Sequence, residues 1–176
     1  MIKPIELYST KKKQDQEMEQ IITVMKEKNI AILDVEFIQT SKYHKCVRKL
    51  YMIAKDGYTD MELDFRPCKP LNELSKAHQQ SFQFCQHHIH KLSYYPSQKY
   101  TPRCAKVLEM INTFIVYNGI DAILFKGGTI EKELCHKLCI PSYNLEFLQD
   151  IQKVDSHDPR TEVNGYYDQL VNLDYL

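Results

Sequence analysis

Met18, Ile21, Ile22 and Met25 recur at i, i+3, i+4 and i+7 among charged residues, the spacing of one apolar helix face. It predicts a helix over Lys11 to Lys28, with Asn29 as its stop. Ile30-Ala31-Ile32-Leu33-Asp34-Val35-Glu36-Phe37 follows. That run is too short for a globular helix and rich in strand formers, so it predicts a buried strand. Arg48 to Ala54 and Tyr58 to Phe65 flank Lys55-Asp56-Gly57, and Asp-Gly between two such runs predicts a hairpin. Leu71 to Ile89 reads as a helix, followed by a loop through Tyr94-Tyr95-Pro96. Ala105 to Tyr117 is a helix with Leu108, Ile111 and Ile115 on one face. Ala122 to Phe125 is a fourth strand, ending at Lys126-Gly127-Gly128. A helix over Thr129 to Leu138, capped by Thr129, comes next. Pro141 ends it, and Ser142 to Leu145 is a fifth strand. The last helix starts at Asp158 as N-cap with Pro159 in the first position, and runs toward Leu170. The order α-βββ-α-α-β-α-β-α predicts the α/β class: a mixed five-stranded sheet, its first three strands an antiparallel meander, with helices on both faces.

A chain of 176 residues has room for one domain with a substantial core. Residues 1–12 read as an N-terminal arm and 13–176 as a single domain. Lys+Arg and Asp+Glu number 23 each, so bulk charge gives no pull toward nucleic acid; such a site must rest on local patches. The six cysteines, without a signal-like N-terminus, point to reduced thiols and a cytoplasmic or nuclear location. No run of about 18 apolar residues marks a membrane span.

The acids change the picture. Asp34 and Glu36 form a D-x-E on a predicted strand, where alternate residues share a face. Two acids on an apolar strand are costly to bury unless a cation compensates them. By itself the pair reads as partly exposed strand-end acids. Glu131 falls in the first turn of the helix after the fourth strand, where an acid also suits the helix dipole. His157 and Glu162 bracket the start of the last helix, where a solvated His and a surface Glu are the bland alternative.

In this order the residues resemble the DEDDh family of 3′–5′ exonucleases, which have an RNase H-like fold. The matching positions are Asp34 and Glu36 on the first strand, Glu131 in KGGTIEKEL, and His157 and Glu162 in HDPRTE. VRKLYMIAKDGYTDMELDFRPC looks like the family's second and third strands, and the resemblance spans roughly 30 to 170. It departs from the pattern where Glu131 and Glu162 replace the usual Asp, and where Phe37 replaces a small hydroxyl residue. Asp121 is a rival for the second acid; Asp158 and Asp168 are rivals for the third.

The resemblance implies a two-metal-ion 3′–5′ exonuclease acting on the 3′ end of single-stranded DNA or RNA. Two Mg²⁺ or Mn²⁺ ions would be held by Asp34, Glu36, Glu131 and Glu162, since hard ions take carboxylate oxygens. His157 would be the general base. Phe37, Thr40, Lys126 and Gly127 would meet the substrate, with Tyr94, Tyr95 and Tyr100, near Lys91 and Lys99, as candidate stacking rings. Cys85, His87, His88 and His90, with Cys135, His136 and Cys139, offer a competing zinc reading, although their spacing matches no paired motif. The alternative function is an inactive RNase H-like module that binds RNA or a protein partner.

Overall fold

The computed structural model describes residues 4–95 and 104–176. Strands β1 (Ile30–Ser41), β2 (His44–Ala54), β3 (Asp60–Asp64), β4 (Ala122–Phe125) and β5 (Ser142–Asn144) form one five-stranded sheet in the order β3-β2-β1-β4-β5. The first three are antiparallel neighbours, while β4 runs parallel to β1 and β5 parallel to β4. The helices are α1 (Pro4–Glu27), α2 (Lys76–His88), α3 (Cys104–Tyr117), α4 (Thr129–Lys137) and α5 (Pro159–Asn172). This is the mixed α/β sheet expected from the sequence, with the first three strands as a meander.

Alternation along β1 sorts the core into two layers. Ile30 and Ile32 pack with Ile21 and Met25 of α1 and with Val163, Tyr166 and Leu170 of α5. Ala31, Leu33 and Val35 pack on the opposite face with Val107 and Ile111 of α3 and Leu134 of α4. Asp34 and Glu36 continue the even-numbered series, so the strand aims them toward the face that α5 covers. A third cluster, with Ile38, Cys46, Leu74, Phe82 and Tyr94, fastens α2 to the far half of β1 and β2.

Several elements depart from their expected bounds. Helical backbone begins at Pro4 instead of Lys11. β1 continues past Phe37 because Ser41 pairs with His44 across a two-residue Lys42-Tyr43 turn, made without the glycine or asparagine that signals such turns. The predicted Leu71–Ile89 helix is broken: a 3₁₀ turn (Leu71–Glu73) precedes α2, which starts where Ser75 caps the N–H of His78. The N-cap of α4 is Gly128 and not Thr129, and no side chain caps it. The Asp-Gly hairpin forms as expected. Gly57 sits at φ +75, and the Asp56 carboxylate accepts from the N–H groups of Tyr58 and Thr59.

The β1–β2 register slips between Glu36/Lys49 and Phe37/Val47, which leaves Arg48 as the extra residue of a bulge. Bulges bend a strand and re-aim its side chains. Arg48 is buried, and its guanidinium donates to the carbonyls of Phe65 and Ser93. It thereby ties the bulge to the segment that follows α2.

Candidate active site

Asp34, Glu36 and Glu162 each place a carboxylate oxygen within 4.8 Å of the others. The first two come from β1 and the third from the first turn of α5. Asp158 caps that helix, its side chain accepting from the N–H of Thr161, and Pro159 follows in the first turn. The cap fixes where α5 starts, and thus which residue turns inward.

Burial decides the chemistry of this group. Asp34, Glu131 and Glu162 are 7%, 6% and 9% exposed. Asp34 Oδ2 and Glu131 Oε2 have no hydrogen-bond partner. Buried carboxylate oxygens without partners are rare and costly. Burial, followed by the negative charge of Glu162, pushes the Asp34 carboxyl up to about 9. Burial and the charges of Glu162 and Glu131 push Glu36 up to about 7. Glu131 and Glu162 are raised as well, mainly by burial; the backbone N–H groups of Glu131 and Val35 oppose the shift at Glu131, and Asp34 and His157 oppose it at Glu162. The charges of Lys45, at Glu131, and of His157 and Lys153, at Glu162, offset the rise only in part. Orphaned oxygens in a hard, all-carboxylate donor set fit a divalent cation such as Mg²⁺ or Mn²⁺.

His157 stands on the segment before α5, half-exposed, with Nδ1 3.8 Å from Glu36 Oε1. Three residues before it, Val154 lies against α5 at Gly165, where a Cβ would come within 2.7 Å of Val154 Cγ2. Glu131 approaches from the other face of the sheet at the start of α4. It lies outside the 4.8 Å group, yet its charge acts on both Asp34 and Glu36.

The rival acids lie outside the 4.8 Å group. Asp121 accepts from the N–H of Asn29 at 3.0 Å. Asp158 pairs with Lys49 Nζ at 3.0 Å, and Lys49 and Thr161 together outweigh burial to hold it below its ordinary value. Asp168 is exposed on α5.

A cleft of about 360 Å³ opens beside Glu36 and His157. Phe37 of β1 forms one wall, and Phe82, Ile89 and His90, from α2 and the residues after it, form the other. Thr40 is buried instead, its Oγ1 2.8 Å from His44 Nδ1. Lys126 Nζ donates to the Ile151 carbonyl, and Gly127, at φ +113, exchanges hydrogen bonds with the Asn144 amide. Tyr94 is in the core, edge-on to Phe82, so it offers no open face for a base. Tyr95 is exposed, and Lys99 and Tyr100 lie outside the described residues.

The soft-ligand candidates do not gather. Cys135 is buried and Cys139 exposed, and among the described residues the group able to share an ion is the acidic one. Sequence reasoning missed Arg48 and Gly165, and it read His90 as a zinc candidate where the structure places it in the cleft wall. Neither Arg48 nor Gly165 has a motif, and each matters only through a neighbour distant in sequence.

No protein-family model matches the sequence, and no curated protein matches it. Among solved structures the chain is similar to S. pombe Pop2p in its Mg²⁺- and Mn²⁺-bound form, with 9% identity and a TM-score of 0.45, covering 92% of this chain and 87% of that one. At that score the likeness assigns neither activity nor substrate. Among the described residues, no helix is long and apolar enough to cross a membrane.

Proposed function

We propose that this protein is a metal-dependent 3′–5′ exonuclease that hydrolyses phosphodiester bonds of single-stranded DNA or RNA. The observation that carries the reading is the convergence of Asp34, Glu36 and Glu162 within 4.8 Å, with Asp34 and Glu162 buried and Asp34 Oδ2 without a hydrogen-bond partner. Asp34, Glu36 and Glu162 would hold the cations, with Glu131 completing the set. Bound divalent ions would neutralise the acids and polarise the phosphate. Glu36 orients His157, whose half-exposed imidazole takes the proton from the attacking water and returns it to solvent. The cleft between Phe37 and the α2 wall takes the terminal nucleotide. Its volume falls within the usual range for small-ligand sites, about 300–1,000 Å³.

The test is cleavage of a 5′-labelled single-stranded oligonucleotide with Mn²⁺ or Mg²⁺. Stepwise shortening from the 3′ end that stops with chelator is the expected result. A second reading, a binding module without turnover, is favoured by Glu131 standing outside the 4.8 Å group. Oligonucleotide binding with no cleavage under either metal would establish it instead.

A further inference from the structure

A second groove lies where the β1–β2 hairpin meets α4, lined by Lys42, Tyr43, Lys45 and Lys137 with Glu133 as the one acid. Three ammonium groups thus face one carboxylate, in a chain whose total charge is zero. Among the described residues, none of these lysines is in a salt bridge, unlike Lys49 and Arg160, which are. The exposed aromatic ring beside them belongs to Tyr43, 88% exposed, with Lys42 Nζ 5.2 Å from its centroid. An exposed ring flanked by unpaired cations is the combination that single-stranded nucleic acid uses for stacking and phosphate contacts.

The groove adjoins the cleft beside the acidic site. Gln39 borders both it and the cleft beside Glu36 and His157. Lys45 Nζ lies 4.7 Å from the centroid of Phe37, which lines that cleft, and its charge reaches Glu131. A chain leaving the cleft along the outer half of β1 passes Phe37, then Lys45, then Lys42 and Tyr43. We propose that this hairpin groove binds the backbone of single-stranded nucleic acid upstream of the nucleotide at the acids. Lys42, Lys45 and Lys137 contact phosphates there, and Tyr43 stacks on a base. The direction assigned to the strand rests on the proposed nuclease reading; the groove's affinity for nucleic acid does not.

The test uses the full chain with Lys42→Gln and Lys137→Gln combined, at exposed positions outside the acidic site. Fluorescence anisotropy with a labelled single strand of about ten nucleotides is measured in EDTA across a salt series. Hydrolysis of the p-nitrophenyl ester of thymidine 5′-phosphate with Mn²⁺, which does not reach the groove, is measured alongside. The double variant is expected to bind about tenfold more weakly at low salt. Its log K against log salt slope should shrink by about 1.4, or about 0.7 for each lost phosphate contact. Ester hydrolysis should not change. Unchanged affinity and slope, or no oligonucleotide binding by wild type, would overturn the groove. So would a polyglutamate peptide of equal charge binding as tightly as the oligonucleotide, which would assign the groove to an acidic protein. If wild type leaves the ester intact while the double variant still loses oligonucleotide affinity, the nuclease reading falls and the groove stands. If the ester is cleaved and the double variant binds normally, the reverse holds.

Discussion

Replacing Asp34 by Asn should stabilise the metal-free protein, and the gain should grow with pH. The folded-state carboxyl is raised from 3.8 to about 9. A carboxyl raised by folding binds its proton more tightly in the native state than in the unfolded one. Its contribution is therefore most favourable below the unfolded value and is lost as pH climbs toward the folded value. Between pH 5 and pH 8 that loss amounts to about 4 kcal/mol, at about 1.36 kcal/mol per pH unit. Asn keeps the shape and has no such dependence, but its amide enters a site with few partners, at a cost of about 1–3 kcal/mol. The two roughly offset each other at pH 5, and the variant should be more stable by a few kcal/mol at pH 8. Urea unfolding in EDTA at both pH values measures this. Adding Mn²⁺ at pH 8 should then stabilise wild type, by about 2.7 kcal/mol at a hundredfold excess over Kd, and leave the variant nearly unmoved. Wild type and variant losing stability in parallel from pH 5 to pH 8, with equal responses to Mn²⁺, would refute the claim that buried unpaired charge dominates this site.

Other expectations follow from the same geometry. His157→Ala should reduce turnover about 10²–10⁴-fold with little change in oligonucleotide affinity; near-normal single-turnover rates would return His157 to the role of a loop residue. Glu162→Gln should abolish cleavage and blunt the thermal-shift response to Mn²⁺, whereas Asp158→Ala should keep both responses and lose about 1 kcal/mol of stability as a missing cap. The reverse pattern would make Asp158 the third acid. Gly165→Ala gains helix propensity of about 1 kcal/mol but drives a methyl into Val154, an overpacking cost of about 1–3 kcal/mol. It should lower Tm slightly and slow turnover by displacing His157, and a rise in Tm with unchanged activity would contradict the packing assigned to that contact.

Much of the fold was legible because the two periodicities are strong. Met18 to Met25 and Ala105 to Tyr117 repeat as helices do, and Ala122 to Phe125 is an apolar run between turn residues. Boundaries were lost where tertiary contacts overrode local signals. β1 runs on to Ser41 because β2 pairs with it across a Lys42-Tyr43 turn that carries no turn signature. The helix expected from Leu71 breaks at Ser75, a capping residue lying within a mixed segment. Asp34, Glu36, Glu131, His157 and Glu162 could be named from their order along the chain. Their separation could not, because it depends on how α4 and α5 dock: α5 brings Glu162 into the 4.8 Å group, and α4 leaves Glu131 outside it. Tyr94 shows the opposite failure, an aromatic in a basic stretch that burial removes from the surface.

The arrangement of α5 also sets a timetable. Asp34 and Glu162 are neighbours in space but belong to opposite halves of the sequence, so the acid cluster does not exist until α5 has settled on the sheet. In any partly folded species with that helix detached, Asp34 and Glu36 face water and behave as ordinary carboxylates with weak hold on a cation. Docking then sets like charges against one another, which weakens the hold of the first turn of α5 on the sheet when no ion is present. A bound cation would act as a latch between strand and helix, so that amide exchange along α5 should slow on adding Mn²⁺ more than exchange along α3. Competence for chemistry and completion of folding would then be a single event.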